Sequence, residues 1–90
     1  MSESSIEWDE QTHQKFRRLI EKVPVFMRPL AEEKVSKKAE DLVKADGRAE
    51  IGEKDMVDAF FEATPFGFHG PMKTDMEEIG IDYVQYGHPQ

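Results

Sequence analysis

The sequence predicts an all-α fold: a small three-helix domain (short helix, long central helix, third helix) with a C-terminal tail of loop and short helix packed on it. Three observations predict it. Apolar residues recur at helical spacing in three stretches between Phe16 and Phe61. Pro24, Gly47, Gly52 and Pro65 punctuate those stretches where helices should stop or start. Ninety residues, 38% of them hydrophobic and 34% charged, suit one modest core inside a charged surface.

Residues 1–7 are polar and expected to fray. Asp9 is a good N-cap before Glu10 and Gln11, and Trp8 precedes it as a hydrophobic staple. Phe16, Leu19, Ile20 and Val23 then lie at i, i+3, i+4 and i+7, one face of a helix. Pro24 biases the residue before it away from helical ψ, so the first helix runs from about Glu10 to Lys22.

The second and longest helix begins within Val25 to Pro29, since proline is tolerated in a first turn. Its apolar line is Met27, Ala31, Val35, Ala39, Leu42 and Val43, backed by Leu30. Glu33 with Lys37 and Glu40 with Lys44 are i, i+4 pairs in the favourable order, and Gly47 is the C-cap. Ala49-Glu50-Ile51 reads as an extended link, with Ile51 plugging the core between the second and third helices. Gly52 caps a third helix that opens with Glu53, Lys54 and Asp55, carries Met56, Val57, Phe60 and Phe61 inward, and stops near Thr64-Pro65.

The helical domain thus spans residues 1–64, and 65–90 is a Pro/Gly/aromatic tail. Pro71 opens a short helix over 72–79, Gly80 closes it, and Ile81 to Tyr86 is expected to be extended. No internal repeat is legible. A core of this size supplies only about 3–5 kcal/mol of net stability, which favours a docked partner or a homodimer.

Composition excludes several classes of function. Without cysteine there is no disulfide scaffold, thiolate zinc or iron–sulfur cluster held by this chain alone. No apolar run approaches the roughly 20 residues of a membrane span, and Met1-Ser2-Glu3-Ser4-Ser5 lacks the order of a secretory signal. A soluble, cytoplasmic protein with no membrane partner is the expectation. The net charge of −7 argues against a nucleic-acid partner, because phosphate neutralisation needs a cation excess.

Trp8, Leu19, Val23-Pro24-Val25-Phe26-Met27-Arg28, Glu33-Lys34, Ala39, Gly47, Ile51, Val57 and Ala59 form a connected pattern across residues 6–63. It resembles the C-terminal domain of the light-independent protochlorophyllide reductase B subunit, a small helical domain that also stands alone as a PCP reductase-like family. That family's mark is a tryptophan before the first helix, a Pro-x-Phe-x-Arg hinge and a long charged helix. Pro29 stands where a small residue is usual, and Gly52 replaces the usual threonine cap. The resemblance implies a helical fold and a redox or tetrapyrrole context. The nitrogenase-like body that supplies the cluster ligands has no counterpart in these 90 residues, so the reduction itself is not expected of them.

No catalytic residue, metal-ligand set or cofactor is expected: no acid–base pair lies in an apolar stretch, and His13, His69 and His88 lack ligand spacing. His69, between Phe66, Phe68 and Gly70, is the one histidine that could edge a tetrapyrrole pocket, although a loop role is favoured. Arg17, Arg18, Lys22 and Arg28 gather at the hinge. They offer an anion site, or, as the favoured reading, a solvated face with Arg28 capping carbonyls of the first helix. Trp8, Phe26, Phe60 and Phe61 are expected in the core, and Phe66, Phe68, Tyr83 and Tyr86 to wrap it rather than form a docking strip. The candidate interaction residues are Trp8, Pro24, Phe26, Arg28, Phe66, Phe68 and His69. The functional expectation is a non-catalytic accessory module with a protein partner in a redox or tetrapyrrole-related assembly. The alternatives are a histone-like nucleic-acid module and a planar-ligand binder.

Overall fold

A computed structural model describes residues 6–90 and is all-α in class, with four α-helices and a two-stranded ribbon of dipeptides. In chain order these are β1 (Glu7–Trp8), α1 (Glu10–Glu21), α2 (Arg28–Ala45), β2 (Glu50–Ile51), α3 (Glu53–Ala63) and α4 (His69–Glu78). Three 3-10 turns join or follow them at Val25–Met27, Phe66–Phe68 and Tyr83–Tyr86. Most of the fraying expected over residues 1–7 lies outside the described residues. Glu7 is not frayed, since its N–H donates to Ala49 O at 3.0 Å.

The extended link around Ile51 becomes half of a parallel ribbon, with Glu7 opposite Glu50 and Trp8 opposite Ile51. Because the two strands run the same way in register, α1 and α3 leave the ribbon from equivalent positions. Each then receives a side-chain bond at its N-terminus. The Asp9 carboxylate accepts from Thr12 N at 3.0 Å and from its hydroxyl at 2.9 Å. At α3 the geometry is reversed: Gly52 has no side chain to offer, so the Asp55 carboxylate reaches back to Gly52 N at 2.9 Å.

Asp55 is buried, and the Arg48 guanidinium grips its carboxylate with two bonds of 3.1 and 2.7 Å. Burial pushes this carboxyl upward. The Arg48 fork and the Gly52 N–H outweigh that, holding it below its ordinary value of 3.8.

The core is built from one face of each helix: Phe16, Leu19 and Ile20 of α1, Val35, Ala39 and Val43 of α2, most of α3, and Met72 and Met76 of α4. Ile51 is fully buried and plugs the core as its position implied. Trp8 is half-buried. It stacks on Phe16 at 4.6 Å and meets His13, the residue a staple should meet, at 5.3 Å. α2 and α4 both end at a glycine with positive φ, Gly47 at 71° and Gly80 at 82°. In each, the next amide reaches back to the helix, from Arg48 to Val43 O and from Ile81 to Met76 O.

Several expectations are corrected. α4 starts at His69, ahead of the expected 72, because Pro71 sits third in the helix, where its missing N–H costs nothing. Ile81 to Tyr86 is not extended throughout: a 3-10 turn at 83–86 keeps Tyr83 inside and returns Tyr86 to α3. Met27 and Leu30 are exposed rather than core-facing: Met27 lies in the 3-10 turn before α2 begins at Arg28, and Leu30 stands on the solvent side of that helix's first turn. Neither Glu33–Lys37 nor Glu40–Lys44 is among the ion pairs of the described residues. The ion pair of that helix joins Lys38 to Glu62 of α3 at 3.0 Å. No helix among the described residues is long and apolar enough to cross a membrane.

Two outcomes follow from this packing. Met76 is fully buried although it belongs to the tail. Met76→Ala should therefore lower the unfolding free energy of the whole chain by about 2–5 kcal/mol, in a single transition by circular dichroism and tryptophan fluorescence; a separate tail transition would contradict it. The Asp55 cap sets an acid limit. Its carboxyl is depressed in the folded state, so its stabilisation is present above about pH 5, the upper side of an unfolded value near 3.9. It disappears as pH falls through the folded value, below 3.8. Urea midpoints at pH 7 and pH 3 should converge in Asp55→Asn relative to the native chain.

Candidate functional site

The same local structure occurs twice, and each copy presents apolar side chains to solvent. After α1, Pro24 (φ −51°, ψ 140°) ends the helix, and Val25–Met27 make one 3-10 turn closed by Met27 N to Pro24 O at 2.9 Å. After α3, Pro65 (φ −56°, ψ 144°) does the same, with Phe66–Phe68 closed by Phe68 N to Pro65 O at 2.9 Å. The next helix begins at once in both places.

The residue that starts the new helix also reaches back to the old one. Arg28 donates from Nε to Val23 O at 2.8 Å and from Nη2 to Glu21 O at 2.6 Å. His69 Nε2 lies 3.1 Å from Phe61 O and 2.9 Å from Thr64 O. Both partners are carbonyls, so this nitrogen carries the proton. Each side chain thus satisfies carbonyls that the end of a helix leaves without intrahelical donors. The favoured reading of Arg28 as a cap holds. His69, for which a loop role was favoured over a pocket edge, is its counterpart with Nε2 already engaged.

These matched parts form an internal repeat of strand, helix, proline turn, helix and glycine stop, which corrects the expectation of none. Its two halves share few identities beyond the prolines, the glycine stops and the glutamates at Glu7 and Glu50 and at Glu10 and Glu53: Arg28 corresponds to His69 and Asp9 to Gly52. Identity therefore gives no signal, and only the bonding pattern shows the repeat.

The turns are exposed. Phe26 is 84% and Val25 71% accessible in the first turn, and Phe66 86% and Phe68 63% in the second. Phe26 is a correction, since it was expected in the core. A three-residue 3-10 turn points its side chains in three directions, so it cannot tuck all of them under the helices it joins. The tail aromatics divide: Tyr83 is buried and Tyr86 half-buried, whereas Phe66 and Phe68 stand out.

The candidate residues do not converge on one pocket. Pro24, Phe26 and Arg28 form the first turn, and Phe66, Phe68 and His69 the second, with the Phe66 and His69 rings 5.4 Å apart. Trp8 lies at the other end of α1, roughly 18 Å from the first turn at 1.5 Å per residue. Of the four hinge cations, Arg28 is committed to carbonyls and Lys22 is paired with Glu78. Arg17 and Arg18 stay exposed and form no ion pair among the described residues. No group of three or more His, Asp or Glu among the described residues is placed to hold a metal. Val25 was missed as a surface residue, and an apolar run squeezed between two prolines was the available sign.

Arg28→Ala should cost about 1–2 kcal/mol in urea unfolding, the worth of two partly exposed bonds from a charged donor. Arg28→Lys should recover only part of it, because an ammonium cannot fork across two carbonyls. Equal stability of all three chains would remove the capping role.

No curated protein and no solved structure matches the chain. One family model does, over residues 1–89, nearly the full length described above. With its two proline turns, the chain belongs to the family described as "Protein of unknown function (DUF2621)".

Proposed function

We propose that this chain is a non-catalytic helical interaction module that docks on a protein partner through its two proline turns. The carrying observation is the exposure of Val25, Phe26, Phe66 and Phe68 on turns that are held in place rather than loose. Each turn is pinned by a proline, a backbone bond and a side chain reaching back to the previous helix. Rigid, exposed aromatics lose little freedom on binding and bury a large apolar area, the usual character of interface anchors. The sequence resemblance to the protochlorophyllide reductase B-subunit domain adds the setting: a redox or tetrapyrrole-handling assembly in which this domain is an accessory. Within that resemblance, Arg28 acts by holding the turn that displays Phe26.

The test separates docking from folding. Phe26→Ser combined with Phe66→Ser should change the unfolding free energy by no more than about 0.5 kcal/mol, because both sites face solvent. The same double variant should lose the protein that co-purifies with the native chain from its own host. A photo-crosslinking residue in place of Phe26 should label that protein, whereas one in place of Lys44 should not. Undiminished co-purification by the double variant overturns the proposal.

A further inference from the structure

We propose that the two proline turns fit each other, so that the first turn of one copy of this chain docks on the second turn of another copy. This rests on the docking reading above and names the partner.

The two turns share a backbone and differ in charge. When Pro24 is matched to Pro65 and Arg28 to His69, Arg17 corresponds to Asp58, Lys34 to Asp75 and Lys37 to Glu78. Residues 15–38 hold eight Lys or Arg and three Glu, a net of +5, in a chain whose total is −7. Their counterparts, residues 56–79, hold one Lys and five Asp or Glu, a net of −4. Both segments carry exposed apolar side chains at their centre, Val25 and Phe26 in one, Phe66 and Phe68 in the other.

Only part of this charge is neutralised within one chain. Among the described residues, the two segments pair with each other at Lys22–Glu78 and Lys38–Glu62, and Lys15 pairs with Glu53 outside them. Arg28 is committed to carbonyls. Arg17, Arg18, Lys34 and Lys37 remain exposed with no ion pair among the described residues. On α2, Leu30, Lys34 and Lys37 lie at i, i+4 and i+7, a stripe that leads away from the turn and faces solvent, with Leu30 52% exposed. In the second segment Asp58 is already held by Lys54 and His88, but Asp75 and Glu77 form no ion pair among the described residues. The Glu62 and Glu78 side chains keep about half their surface in water. Pairs this exposed are worth little, so they do not keep these acids from a better partner.

Charge decides which surfaces meet. First turn on first turn would set cations against cations, and second on second would set acids against acids; like charges across an interface oppose binding. First on second joins apolar to apolar and cation to acid. A core this small also gains stability from association. Because different patches meet, copies add head to tail and stop only where a ring closes.

Sedimentation velocity of the full chain tests this without any other protein. The native chain should sediment above the mass of one chain as its concentration rises toward about 1 mM. Phe26→Ser should leave only monomer, and so should Phe66→Ser with Phe68→Ser. An equal mixture of these two variants should form a dimer and nothing larger, because it retains one intact first turn and one intact second turn. Lys34→Glu with Lys37→Glu should weaken association at least about tenfold, since like charges then face each other. Self-docking is overturned by a native chain that is monomeric at about 1 mM, by either turn variant associating alone as the native chain does, or by a mixture that stays monomeric. Unchanged association of the lysine variant overturns it as well. All substituted positions are exposed, and circular dichroism equal to the native chain's separates lost association from lost folding. If a turn variant fails to fold, the native chain and the lysine variant still decide. Self-docking can fail while Phe26→Ser with Phe66→Ser loses a different co-purified protein, and the docking reading then stands without this partner. The docking reading itself falls if that double variant keeps its co-purified protein.

Discussion

The arrangement depends on α3, an eleven-residue helix that buries six of its positions. Met56, Val57, Ala59, Phe60 and Phe61 are apolar and almost wholly removed from water, and Asp55 joins them only because Arg48 and Gly52 satisfy it. A helix this apolar is unstable against water on most of its sides. It has to be enclosed, and each other element supplies a wall. α2 packs alongside it, α1 brings Phe16 to Phe60, α4 brings Met72 and Met76, and the turn at 83–86 closes the remainder. Each buried large side chain contributes about 1.5–3 kcal/mol relative to exposure, so enclosing α3 is where a domain of this size finds its stability.

Enclosure also explains the division between capped and exposed residues. Short connections are needed to fold three helices around one, and the α1–α2 and α3–α4 connections each use a proline followed by a single 3-10 turn. Such a turn leaves carbonyls at the end of the old helix unsatisfied, and Arg28 and His69 answer them. The turn has no room beneath it for three side chains, so aromatic residues face outward. The proposed docking surface thus arises from the same geometry that makes the core compact.

Electrostatics plays a local part in a chain of net charge −7. Three partly enclosed carboxylates are held by named donors: Asp55 by Arg48, Glu53 by Lys15 and Tyr86, and Asp58 by Lys54 and His88. All three acids belong to α3. Surface pairs such as Lys38–Glu62 add little individually, whereas the α3 acids fix how the ribbon and the segment after α4 sit on the central helix.

The sequence by itself determined which segments are helical, because helical periodicity, Pro24, Pro65 and the glycine stops act within a few residues. It determined the capping by Asp9, the plug at Ile51 and the burial of Phe60 and Phe61 on the same grounds. Tertiary structure alone decided the rest. The ribbon pairs Trp8 with Ile51 across the chain, and dipeptide strands carry no period to detect. The repeat is a pattern of bonds rather than of identities. Phe26 and Tyr83 are both aromatic residues in short 3-10 turns, and one is exposed while the other is buried. Their fates differ because Tyr83 follows a chain already turned back onto α3, whereas Phe26 crosses between helices at a corner with nothing above it. Which side of a turn meets the core depends on where the next helix goes, and residues distant in sequence set that direction.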